Sequence, residues 1–135
     1  MPIRRITRDL VDDICGSFRS LANLNLAHNE IVVAENLERL QPSLTKLDLS
    51  HNVLSHAAGL AALTKLVVLD LSNNVLTELN GFEHLRALEV LHAADNRIAT
   101  TSGLRSLSYL PSLDTATLRG NPLAEKETYL SLIHI

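Results

Sequence analysis

The chain is poor in the side chains that anchor most compact cores. Only 3% of its 135 residues are aromatic, and tryptophan is absent. A core organised around large rings is therefore excluded. The 46% hydrophobic content must come from Leu, with Val, Ile and Ala, which suits a thin layered solenoid. One cysteine, Cys15, excludes an intramolecular disulfide and reads as a small apolar filler. A basic excess is missing too: 12 Lys and Arg stand against 15 Asp and Glu, for a net charge of −3. A nucleic-acid binder carries a basic stripe, so no nucleic-acid partner is expected. No apolar run approaches the ~18 residues that cross a bilayer, so no membrane partner is expected. The first thirteen residues, MPIRRITRDLVDD, are charged where a signal peptide needs an apolar run. No Asn-x-Ser/Thr acceptor occurs. Together these features predict one intracellular domain.

What the chain does have is leucine at fixed offsets. Residues 66–76 read LVVLDLSNNVL. Leu69 and Leu71 are two apart, so on a short strand both point into a core while Val68 and Asp70 point away. Asn74 follows where the chain must turn, and an amide that both donates and accepts can satisfy loop backbone there. Leu76 returns to the core. The same spacing recurs from Leu21, Leu44, Leu88 and Leu113, with Ala93 and Ala116 replacing leucine. The recurrent asparagines are Asn29, Asn52, Asn74, Asn96 and Asn121, in steps of 23, 22, 22 and 25 residues. Such a step leaves room for a turn or so of tight helix behind each strand, but not for a full α-helix. Gly59, Gly81 and Gly103 recur in that second half, each before an apolar residue. Glycine there predicts a backbone angle that other residues resist. One unit cannot bury its own apolar face, so the units must stack.

The expected organisation is an N-terminal helical cap over 1–20, repeats over 21–123 and a C-terminal cap helix over 124–135. In the first, Ile6, Leu10 and Ile14 form one helical stripe with Val11 beside it; Thr7 is the expected N-cap and Gly16 the expected stop. Its expected task is to cover the open strand edge and leucine layer of the first repeat. Arg4, Arg5 and Arg8 belong to its solvated face. In the last, Pro122 ends the repetition, and Tyr129, Leu130 and Ile133 form an apolar face. Apolar residues continue to Ile135, which suggests a natural chain that runs further.

The Leu-x-x-Leu-x-Leu-x-x-Asn core, the period near 22 and the Gly-Leu/Phe-x-x-Leu second half resemble the short leucine-rich repeats. That subclass is typified by the protein phosphatase 1 regulatory subunit and includes dynein light chain 1 and the spliceosomal A-prime protein. Asn121-Pro122-Leu123 followed by Tyr129-Leu130 resembles its C-terminal cap. The resemblance implies an α/β fold: a right-handed leucine-rich repeat solenoid of five repeats, with a parallel concave sheet, short 3-10 or turn segments on the convex side and helical caps. It implies a eukaryotic, non-enzymatic scaffold in a cytoskeletal, ciliary or nuclear assembly, cytoplasmic rather than nuclear, with a phosphatase regulator as the alternative.

Function is expected on the outward residues of the sheet. Val68 and Val90 lie at its middle, flanked by Lys46, Asp48, Asp70 and His92. Apolar residues inside a polar rim have the composition of a partner-binding patch. Four strand spacings of ~4.8 Å make a face roughly 19 Å wide, suited to one helix or extended segment of a protein partner. Asp48 and Asp70 would repel each other mildly in adjacent strands, which favours a basic partner group. Six histidines occur; His28 and His51 share a column, but no third ligand of proper type joins them for a metal. No nucleophile triad or phosphate-cradling glycine motif is present. The expectation is a monomer with no catalytic residue, cofactor or metal.

Overall fold

The computed structural model describes residues 2–17, 21–40 and 43–125. Five three-residue strands form one parallel sheet in chain order: β1 Asn23–Asn25, β2 Lys46–Asp48, β3 Val68–Asp70, β4 Val90–His92 and β5 Thr115–Thr117. The register brings Leu24, Leu47, Leu69, Leu91 and Ala116 into one row. Each strand has one inward residue between two outward ones, as the period of two requires. The core is a stack of leucine slabs. Leu44, Leu47, Leu49, Leu54, Leu60 and Leu63 fill one, and Leu66, Leu69, Leu71, Leu76 and Leu79 begin the next, all fully buried. Phe82 is the largest fully buried side chain.

Behind the strands lie short 3-10 segments, Glu38–Leu40, Ala58–Ala62 and Thr101–Tyr109. Residues 82–88 make turns instead, held by Leu85 N donating to Phe82 O (2.9 Å) and Leu88 N to Leu85 O (3.1 Å). The longer last repeat step is absorbed by Thr101–Tyr109, where buried Ser106 donates its hydroxyl to Leu79 O.

The recurring glycines have two different causes. Gly81 has φ +92°, as expected of a left-handed position. Gly59 and Gly103 do not: at 59 a Cβ would collide with the carbonyl oxygen of Ala34 in the preceding layer. Backbone proximity, not a special angle, demands glycine at 59.

The helix α1, Arg8–Ser17, begins as its sequence indicates. Leu10 N donates to Thr7 Oγ1 (3.1 Å), the bond of an N-cap. It runs one residue past Gly16. Val11 in the helix and Ile6 just before it are fully buried, whereas Leu10 is only half-buried. Ile14 and Cys15 pack on the core, partly exposed. The helix packs against Glu38–Leu40 on the back of the first layer, and Leu21 and Leu24 remain half-buried. Arg4 pairs with Glu30 (2.8 Å) and Arg5 with Glu35 (3.2 Å). At the other end, Pro122–Glu125 is a 3-10 turn. The expected helix beyond it, with Tyr129, Leu130 and Ile133, lies outside the described residues.

Candidate functional site

The sheet leaves one face open, and the strand register places the six predicted residues there as a two-by-three patch. Lys46, Val68 and Val90 form one row; Asp48, Asp70 and His92 form the other. Lys46 is exposed and the other five are half-buried. In the row beyond them Ser50 and Ala94 are buried and Ser72 is half-buried. Towards β1 the face dips into a depression of ≈ 300 Å³ lined by Asn23, Leu24, Asn25, Lys46 and Asp48.

Both aspartates of the second row also close the ends of their own strands. Asp48 Oδ1 accepts from Ser50 N (2.9 Å) and from Ser50 Oγ (2.6 Å). Asp70 Oδ1 accepts from Ser72 N (2.9 Å), and Asn25 Oδ1 accepts from Ala27 N (2.9 Å). These are side-chain turns spanning two residues, which Asn and Asp make readily where a strand gives way to a loop. In the fourth strand His92 takes the same column and meets Thr117, Nδ1 to Oγ1, at 3.2 Å. Asp48 and Asp70 lie side by side in register.

The face is held by an internal row of amides. Asn74 Nδ2 donates to Leu49 O (3.0 Å), Leu71 O (3.0 Å) and Ser72 O (3.3 Å), while its Oδ1 accepts from Leu54 N (2.9 Å). Asn52 and Asn96 repeat this pattern in the neighbouring layers. Asn121 closes it against Ala93 O, Leu118 O and Ile98 N. All four are buried; Asn29 is half-buried and serves Leu26 O and Ala27 O. Every asparagine thus ties its loop to the layer before it, so the strand ends cannot move independently.

These observations match a known repeat. The Leucine rich repeat family profile matches residues 42–98. The fold is the leucine-rich repeat. A chain of the Drosophila melanogaster SNF/U2A′ complex is 25% identical, with 96% of this chain and 77% of that one covered and a TM-score of 0.77. Internalin C2 of Listeria monocytogenes is 31% identical, with 82% of this chain and 50% of that one covered and a TM-score of 0.69. A chain of the TLR13–ssRNA13 complex is 29% identical, with 79% and 19% covered and a TM-score of 0.54. The chain spans half or less of the internalins it matches. No curated protein matches it by sequence. The likeness to the SNF/U2A′ chain accords with the A-prime resemblance carried by the repeat pattern.

Two features of these leucine-rich repeats escape a reading of the leucine spacing. First, the residue before each ladder asparagine is left-handed: His28 (φ 59°), His51 (56°), Asn73 (59°), Asp95 (56°) and Gly120 (78°). His, Asn, Asp and Gly are the types that tolerate this angle, so the column is readable once the ladder is aligned. It explains the two histidines that share a column. Their rings stack with centroids 4.3 Å apart and planes 9° from parallel. Stacked rings keep their nitrogen lone pairs in two parallel planes, a poor arrangement for converging on one metal ion. Among the described residues no three His, Cys, Asp or Glu side chains gather around a metal-sized space. Second, Ile3 acts as a missing layer. Its N–H donates to Asn29 Oδ1 (2.8 Å) and its carbonyl accepts from Glu30 N (2.8 Å). Ile31 does the same for Asn52 (3.0 Å) and Val53 (3.0 Å) one repeat later.

Proposed function

We propose that this leucine-rich-repeat chain is a non-enzymatic protein-interaction module whose open sheet face holds one helix or extended segment of a partner. The observation that carries the reading is the patch itself: half-buried Val68 and Val90 side by side, bordered by Lys46, Asp48, Asp70 and His92 on a frame locked by buried asparagines. Apolar centre and polar border are what a binding patch needs, and rigidity lowers the entropy lost on binding. The SNF/U2A′ chain, solved within a complex, supports a role in assembly. The TLR13 chain was solved with single-stranded RNA. Here Asp48 and Asp70 would repel a phosphate backbone, which supports a protein partner instead. The lone cysteine supports a reducing, intracellular setting.

Site-specific photocrosslinking in cells tests the surface. A photoreactive side chain at Val68 or Val90 should capture the same partner, and one at Glu83 or Arg86, exposed behind the sheet, should not. Capture from 83 and 86 with none from 68 and 90 would place the binding surface elsewhere.

A further inference from the structure

Resting on that reading of the open face, we propose that the partner segment is basic and amphipathic. It lays an arginine across Asp48 and Asp70 and an apolar side chain on Val68 and Val90.

The turn at each strand end requires one acceptor oxygen. Asn25 supplies it to Ala27 N at 2.9 Å, the same distance at which Asp48 and Asp70 supply it to Ser50 N and Ser72 N. An amide therefore does this task in the same column, and the negative charge is surplus to the turn. The charge also has a cost. The two aspartates are register neighbours in adjacent strands, whose backbones lie about 4.8 Å apart, and like charges directly opposed are destabilising.

The turn hydrogen bonds to each Oδ1 offset part of that cost, but no ion pair among the described residues does. Among the described residues the ion pairs are Arg4 with Glu30, Arg5 with Glu35 and Arg39 with Asp12, and none lies on the sheet face. Lys46 shares the face but makes no ion pair with Asp48 among the described residues. In both aspartates Oδ1 is the atom that closes the turn, so Oδ2 is left for a ligand.

A guanidinium fits this arrangement better than an ammonium. It is planar, carries donors on two edges and can span two carboxylates at strand spacing. It is also the more weakly hydrated cation, which suits the half-buried setting beside Val68 and Val90. An apolar neighbour in the same segment would cover the valines, exclude water and strengthen the charge pair.

The test uses the whole chain and three labelled peptides that share one amphipathic host sequence. Their central residue is arginine, citrulline or glutamate. Binding is followed by fluorescence anisotropy, and the contact surface by amide chemical shifts. The comparison variant is Asp48→Asn with Asp70→Asn, which keeps both turn acceptors. The arginine peptide should bind about tenfold tighter than the citrulline peptide, as two charge-assisted bonds imply, and shift the amides of Val68 and Val90. The glutamate peptide should bind weakest. The gap should close in the double variant while its urea midpoint stays at or slightly above the parent value, since the paired charges are gone. Binding at Val68 and Val90 with no arginine preference would overturn this proposal and leave the sheet face as the binding surface. Shifts confined to other surfaces, or no binding by any peptide, would overturn both.

Discussion

Replacing Asn74 by alanine should cost this fold about as much as removing a whole core leucine. The side chain is buried and makes three donor contacts, to Leu49 O, Leu71 O and Ser72 O, and accepts one bond from Leu54 N. Its two amide hydrogens serve three carbonyls, so the variant loses the equivalent of three bonds. At about 1 kcal/mol net for each, with part of the penalty for buried orphans added, the loss is about 3–4 kcal/mol. Asn29 provides the internal control. It makes the same kinds of bond, to Leu26 O, Ala27 O and Ile3 N, but is half-buried. Water can replace its amide, so Asn29→Ala should cost only about 1–2 kcal/mol. Urea unfolding of the parent and both variants measures the difference. Equal losses, or a larger loss at Asn29, would refute the claim that burial of the amide row sets its worth.

Two further outcomes follow from other positions. Gly59→Ala should destabilise by about 3 kcal/mol or more, because the added Cβ meets the Ala34 carbonyl and one of two packed layers must shift; thermal unfolding with no change would contradict that packing. Thr7→Ala should cost about 1 kcal/mol through loss of the bond from Leu10 N, with Thr7→Ser restoring most of it in the same assay.

The repeat framework was legible because its cause is local. A leucine two residues after another on a strand must share its face, and this fixed the rows that hold Leu47, Leu69 and Leu91. The outward residues were legible for the same reason, so the patch of Lys46, Asp48, Val68, Asp70, Val90 and His92 assembles where the spacing put it. What the spacing could not carry were effects set by the neighbouring layer. Gly59 looks like Gly81 in the chain, yet one avoids a carbonyl of the preceding repeat and the other adopts a left-handed angle. Asp48 and Asp70 read as free charges, and only the folded strand ends show that each closes a turn. Ile3 lies outside every repeat pattern and still supplies the backbone groups that Asn29 needs. In α1 the stripe was correct in period but rotated, with Val11 rather than Leu10 at its buried centre, because contact with Glu38–Leu40 decides the face.

The central claim is that partner binding runs across the open sheet face. Its most direct measurement is the affinity of the crosslink-identified partner for the Val68→Glu, Val90→Glu double variant. Both positions are half-buried and outward, so the variant should keep the parent unfolding free energy in urea to within about 1 kcal/mol. The account predicts that binding weakens by at least about tenfold, because two charges replace the apolar centre of the patch. Full affinity in a normally folded double variant would contradict it.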